Sequence, residues 1–230
     1  MASKKVIVIS LGGSLIVPEK IDFIFLDKLK KTLEKYYKKY KFVIICGGGS
    51  IARKYIEALK HENKIEKELS LAGIRATRMN ALFLMQFFGK EANEVLPMDM
   101  KEVESNLHKN NAVICGALRY EDKSTSDSTA AKLANHFKSE FINMTNVEGL
   151  YNSNPVIHKD AKFIPLISWK SFEKRANGIK HKPGQHFVLD QHASTLIRKH
   201  KIKTYIIGKN LKNLQGILDN KSFKGTIIQG

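Results

Sequence analysis

Two glycine clusters, each closing an apolar run, constrain this chain more than any other feature. Residues 6–9 are apolar and lead through Ser10 and Leu11 into Gly12, Gly13 and Ser14. Residues 42–46 lead into Gly47, Gly48, Gly49 and Ser50, and then directly into Ile51, Ala52, Arg53 and Lys54. A buried strand feeding a glycine turn feeding a helix is how α/β domains hold phosphate. The glycines admit a close backbone approach, and the helix start offers free N–H groups and a positive dipole end. Three successive glycines are unfavourable unless positive φ or such an approach requires them. Two elements of this kind imply two phosphate-bearing ligands and a phosphoryl transfer between them. Arg53, four residues into the second helix on the side facing its start, offers a forked donor to a phosphate.

The rest of the chain alternates in the same way. Strand-like runs fall at 5–11, 42–46, 112–116, 140–145, 203–207 and near 225–229. Helix-like runs fall at about 22–40, 50–62, 66–88, 99–110, 126–138, 187–200 and 210–219. The alternation predicts a three-layer αβα sandwich around a mostly parallel sheet, with ligands beyond the carboxyl ends of the strands. Gly12, Gly47, Gly116 and Thr145 all fall there. Composition shifts near Pro155, after which the chain reads as loop-rich until about 186. Residues 1 to about 140 form a first lobe and the remainder a second, within one folding unit. The run 69–88 is apolar over much of its circumference, which suits a buried core helix or a subunit contact.

Two further clusters bear on chemistry. Ser124, Thr125, Ser126, Asp127 and Ser128 open an alanine-rich helix. They serve as a helix cap, and their hydroxyls also suit a phosphate, with Asp127 placed to orient a lysine or a magnesium-bound water. Thr145 to Pro155 leaves a strand as a polar loop carrying one aromatic, Tyr151, suited to an adenine edge and ribose. Other chemistries lack their signatures. No Gly-x-x-x-x-Gly-Lys-Ser/Thr run is present, nor a Gly-x-Gly-x-x-Gly with an acidic partner, nor a Gly-x-Ser-x-Gly elbow. His181, His186, His192 and His200 have no zinc-type spacing, and no metal site is expected from them.

Composition adds bounds. Cys46 and Cys115 end apolar runs and read as buried thiols in a reducing, cytoplasmic setting. No apolar run approaches the roughly 20 residues of a membrane span, and the opening residues lack the apolar core of a signal peptide. The net charge of +17 comes mostly from lysine, since only six of the 39 basic residues are arginine. The lysines are spread along the chain and no RNA-binding aromatic pattern accompanies them, so a nucleic-acid partner is not expected. The field still favours anionic nucleotides.

Taken in order, these pieces resemble the amino-acid kinase superfamily, and within it the uridylate (UMP) kinases of the shorter archaeal type, over nearly the whole chain. The resemblance is carried by residues 47–55, by Thr125, Ser126 and Asp127, and by residues 145–151. Gly73 and Ile74 with residues 77–81, Leu189 and Asp190 with residues 193–196, and Gly225 to Ile228 add to it. It implies a single domain over 1–230, with an acceptor lobe up to about 140 and an ATP lobe beyond. It implies ATP with Mg²⁺ as donor, UMP as acceptor, and a homohexamer. Ser10, Leu11, Gly12, Gly13, Ser14 and Gly49 would face the ATP phosphates. Thr145, Asn146, Tyr151 and Asn154 would meet the adenine nucleotide. Gly48, Ser70, Gly116, Ala117, Arg119 and Thr125 would line the acceptor site, with Arg53 between the ligands. Asp127, Asp190 and Arg53 would act on the transferred group.

The chain also departs from that pattern. Many relatives carry lysine where Ser10 stands, and the resemblance sets aspartates at the positions of Ser70 and Asn154. The stretch 116–127 is longer than usual, and Arg119 or Lys123 is expected to supply the missing positive charge. Two other readings stay open: a kinase of the same fold for another small acceptor, such as isopentenyl phosphate, carbamate or an acyl-phosphate former, and a nucleotide-binding paralogue with weak chemistry.

Overall fold

The fold was analysed in a computed structural model, which describes residues 4–120, 125–153, 155, 157–178 and 188–230. Seven strands form one sheet in the order β3-β2-β1-β4-β8-β9-β7. They are β1 (Lys5–Leu11), β2 (Tyr40–Cys46), β3 (Ala112–Cys115), β4 (Phe141–Met144), β7 (Leu166–Ile167), β8 (Thr204–Ile207) and β9 (Thr226–Ile228). Two short strands, β5 (Leu150–Tyr151) and β6 (Phe163–Ile164), pair separately as an antiparallel ribbon. β9 runs antiparallel to β8; every other neighbour in the large sheet is parallel. The helices are α1 (Gly13–Ile16), α2 (Phe23–Glu34), α3 (Gly49–His61), α4 (Glu66–Phe88), α5 (Met100–Lys109), α6 (Ser126–His136), α7 (Trp169–Gly178), α8 (Gln191–Lys199) and α9 (Leu211–Leu218).

Alternation along the strands divides the core in two. Ile7, Ile9 and Leu11 of β1 and Phe42 and Ile44 of β2 join Leu26, Leu29, Leu84, Phe88 and Leu214 from α2, α4 and α9. Val8, Val43, Ile45 and Val113 join Val103, Ala130, Ala134, Phe172 and Ile197 from α5 to α8 on the other face. A strand buried on both faces is apolar along most of its length, which is why residues 6–9 and 42–46 read as continuous hydrophobic runs. The edge strand β3 is finished by a side chain. Asn93 accepts from the Ile114 N–H at 2.6 Å and donates to the Ile114 carbonyl at 3.1 Å.

β2 and β4 flank β1 on opposite sides, so the strand order reverses at β1, and in open α/β sheets ligands bind beyond the carboxyl ends of the strands at such a reversal. Helix starts are fixed by side chains. Asp22, Asp99, Thr125, Asp190 and Asn210 each accept an N–H from the first turn of the helix that follows.

The loop-rich reading of residues after Pro155 is corrected by the fold, which sets β6, β7 and α7 there. Trp169, Phe172 and Ala176 are spaced for one helical face. Phe172 is fully buried, and the Trp169 indole N–H donates to the Ile202 carbonyl at 2.9 Å. Four charged residues between them, Lys170, Glu173, Lys174 and Arg175, hid the stripe in composition.

Candidate active site

The two glycine turns touch. Gly47 N–H donates to the Leu11 carbonyl at 2.9 Å, and a Cβ placed on Gly13 would lie 2.3 Å from the Gly49 nitrogen. Gly49 itself holds φ at +61°, in the left-handed region. Only hydrogen fits at both positions, so the turns after β1 and β2 pack backbone against backbone. The Gly12 N–H extends the contact to the third strand, donating to the Met144 carbonyl at the end of β4 at 2.9 Å. Leu11, Gly12, Gly13, Ser14, Gly47, Gly48, Gly49 and Thr145 thereby share the carboxyl ends of three adjacent strands. Thr145 adds a fourth, its N–H donating to the Ile207 carbonyl of β8 at 2.9 Å. Its hydroxyl is 3.3 Å from the side chain of exposed Asn146.

A carboxylate network lies beside the turns. Ser10, buried at the end of β1, donates its hydroxyl to Asp127 Oδ1 at 2.9 Å. Asp127 sits in the first turn of α6. Burial pushes its carboxyl up to about 7, the negative Asp190 adds to the rise, and the Ser10 hydrogen bond opposes it. Thr125 caps α6 and donates its hydroxyl to Asp190 Oδ2, while Asp190 Oδ1 caps α8 by accepting from Ala193 N at 2.8 Å. Two helix starts are therefore joined by one hydroxyl-carboxylate bridge, and Ser10 meets Asp127 in the first turn of one of them.

The remaining expected residues scatter more. Gly48 abuts α4 at Gly73 and Ala76, and Gly116 abuts the same helix at Thr77 and Arg78. Ala117 is buried, and its N–H donates to Thr77 Oγ1 at 2.9 Å. Ser70 is a half-buried residue of α4, whereas Arg53 on α3 is exposed. Arg119 forms an ion pair with Asp99 at 2.8 Å. Tyr151 stacks edge-to-face on Phe163 in the β5-β6 ribbon, with ring centroids 5.4 Å apart. Asn154 and Lys123 lie outside the described residues.

Residues 77–81 of α4 carry part of the family resemblance, but the sequence assigned them no contact. Asn80 donates to the Gly47 carbonyl at 2.7 Å, fixing the second glycine turn from below. Thr77 and Arg78 hold the chain after β3. The available signal was the burial-prone spacing of Thr77 and Asn80 among the apolar residues Ile74, Ala76, Ala81 and Leu84. Among the described residues, no group of three or more histidine, cysteine, aspartate or glutamate side chains forms a metal-binding cluster, and no helix is long and apolar enough to cross a membrane.

The sequence and the fold are similar to those of known proteins. Residues 5–208 match the amino acid kinase family. The uridylate kinase of Thermococcus kodakarensis is 31% identical over 225 residues, covering 97% of this chain and 99% of that protein. The uridylate kinase of Thermoplasma volcanium is 33% identical over 225 residues, 97% of each. The crystal structure of uridylate kinase from Archaeoglobus fulgidus superposes with a TM-score of 0.83 at 30% identity, over 97% of this chain and 99% of that one. UMP kinase from Ureaplasma parvum superposes with a TM-score of 0.79 at 24% identity, over 99% of this chain and 100% of that one, a likeness of fold alone.

Proposed function

The chain belongs to the amino acid kinase family, and on that premise we propose that it transfers the γ-phosphoryl group of ATP to UMP, giving ADP and UDP. The bond from the γ-phosphorus to its bridging oxygen breaks as an oxygen of the UMP phosphate bonds to that phosphorus. The observation that carries this reading is the backbone contact of Gly13 with Gly49. Two phosphate-holding turns in contact suit two ligands whose phosphates must meet. The similar archaeal uridylate kinases supply the acceptor.

The site is divided as follows. Residues 10–14, Gly49, Thr145, Asn146 and Tyr151 take the donor nucleotide, together with Asn154. Gly48, Ser70, Gly116, Ala117, Arg119 and Thr125 take the acceptor, and Arg53 stands between them. The lobes meet near residue 140. The acceptor oxygen is already anionic, so the reaction needs no covalent intermediate and no base on the protein. Catalysis is positioning and charge neutralisation. Backbone N–H groups of the turns bind the phosphates, and the Ser10 and Thr125 hydroxyls set the directions of Asp127 and Asp190. Asp127 and Asp190 are the carboxylates that would hold a Mg²⁺ arriving with the nucleotide phosphates. When bound, it would neutralise charge on the transferred group.

The same reading extends to assembly and setting. No residue of α3 is buried, although the helix is strongly amphipathic, and Tyr55, Met79 and Leu82 on α3 and α4 are exposed. These helices form the contact between copies of the chain in a homo-oligomer, a hexamer by family likeness, working in the cytoplasm.

The test is ADP release from ATP and Mg²⁺ with UMP, CMP, dUMP, isopentenyl phosphate, carbamate and acetylglutamate as acceptors. Turnover with UMP well above the others is expected. Turnover with a different acceptor would keep the fold and discard the substrate. Nucleotide binding without turnover would favour the weak paralogue.

A further inference from the structure

Arg78 is a half-buried cation without a counter-ion among the described residues. Its Nε donates to the Ala117 carbonyl at 3.1 Å and its Nη2 to the Leu118 carbonyl at 2.6 Å. Among the described residues no carboxylate lies within ion-pair distance of it. Burial alone pulls its pKa below the ordinary arginine value, with no acidic neighbour to oppose the fall. A guanidinium partly withdrawn from water is commonly matched by a carboxylate. Here two backbone carbonyls carry it, and both belong to the segment that leaves β3.

We propose that Arg78 is the positioning residue of the acceptor site, fixing residues 116–118 and supplying the fixed positive charge there. The proposal rests on reading that segment as the acceptor wall. Three contacts tie the segment to one turn of α4. A Cβ on Gly116 would lie 2.7 Å from the Arg78 nitrogen, the Ala117 N–H donates to Thr77 Oγ1, and Arg78 binds the next two carbonyls. With those carbonyls turned to the helix, the N–H groups of Leu118 and Arg119 have no acceptor among the described residues. The segment thus offers donors, with a cation behind them, to an anionic acceptor. Arg119 is the weaker source of charge. It is 75% exposed, its partner Asp99 neutralises it, and water screens what remains. The planar fork matters as much as the charge, because an ammonium cannot hold two carbonyls in one plane.

The experiment compares Arg78→Lys and Arg78→Met with the unaltered protein, varying ATP and acceptor separately, with thermal melting and amide exchange of residues 113–120 alongside. In Arg78→Met, KM for the acceptor is expected to rise about thirtyfold or more while KM for ATP stays within about twofold. Arg78→Lys keeps the charge and loses the fork, so about a tenfold rise is expected. Added guanidinium should restore part of the Arg78→Met loss, which a purely structural defect would not allow. Equal changes in both KM values, or an unchanged acceptor KM in a variant that melts normally, would overturn the proposal. If the unaltered protein prefers another acceptor of the panel, the UMP reading fails and the same comparison is made with that acceptor. If it turns over none, Arg78 is judged by exchange, and unchanged protection of residues 113–120 in Arg78→Met would overturn its role.

Discussion

Ser10 and Asp127 meet at 2.9 Å across 117 residues of chain, the hydroxyl of a buried strand end donating to the carboxylate of a helix start. A lysine at position 10, as in many family members, would face Asp127 with a full charge. Here a neutral donor does so, and Asp127 sits in a partly buried place beside a second carboxylate. Burial and Asp190 raise its pKa, and the Ser10 hydrogen bond is what opposes them.

The first prediction concerns that bond. Transfer requires ionised Asp127, so kcat/KM for ATP should rise with pH through about 7 in the free enzyme. Ser10→Ala removes the donor that favours the ionised form and moves this limb upward. Ser10→Lys supplies a cation and moves it downward. A pH-rate profile of the three proteins decides the matter, and coincident limbs would detach Ser10 from the chemistry.

Asp127 should also burden stability at high pH. Its folded-state pKa of about 7 lies above the ordinary 3.8, so the folded protein binds the extra proton between those values. Stability contributed at this site falls as pH rises through that window, and the loss is complete above about 7. Asp127→Asn should melt near the unaltered protein at about pH 4 and above it at about pH 8, while turnover falls by about a hundredfold or more. Melting curves across this range, paired with an ADP-release assay, check both halves.

Gly13→Ala should be disruptive out of proportion to one methyl group. The new Cβ would meet the Gly49 nitrogen and the Gly47 carbonyl oxygen, both backbone atoms that cannot swing aside. A loss of about 3 kcal/mol is expected, with weaker binding of donor and acceptor together. Gly178→Ala is the control, since among the described residues a Cβ there meets nothing within 4 Å. It should stay within about 1 kcal/mol and leave turnover unchanged. Urea unfolding and calorimetric binding of each ligand separate the two cases.

Asn93→Ala should act on stability alone. It leaves the N–H and carbonyl of Ile114 without their side-chain partner in the buried edge of the sheet. A loss of about 2 kcal/mol in urea unfolding is expected, with KM values unchanged.

Charge on the exposed face of α4 tests assembly. Met79→Glu with Leu82→Glu introduces two carboxylates where 64% and 43% of the side chains are exposed. If copies of the chain meet there, light scattering should show a smaller particle with unchanged secondary structure. An unchanged mass would place the contact elsewhere.

Periodicity carried most of the fold. β1, β2 and β3 are continuous apolar runs because both faces are covered, and that signal survives without tertiary context. The glycine clusters announced turns with backbone approach, since nothing local explains three glycines in a row. Segments whose pattern was short or diluted escaped: β5, β6 and β7 have two residues each, and α7 hides its buried face among charges.

At the site, the sequence by itself determined which residues lie at strand ends, because the glycine clusters interrupt the apolar runs that precede them. It could not determine what those residues face. That Gly13 packs on Gly49, that Ser10 turns to Asp127, that Thr125 joins Asp190, and that Arg78 binds Ala117 and Leu118 are contacts between residues 36 to 117 positions apart. Such pairings follow from the order of strands in the sheet and the packing of α4 beneath it. Local chemistry has no term for either, so only the tertiary structure decided them.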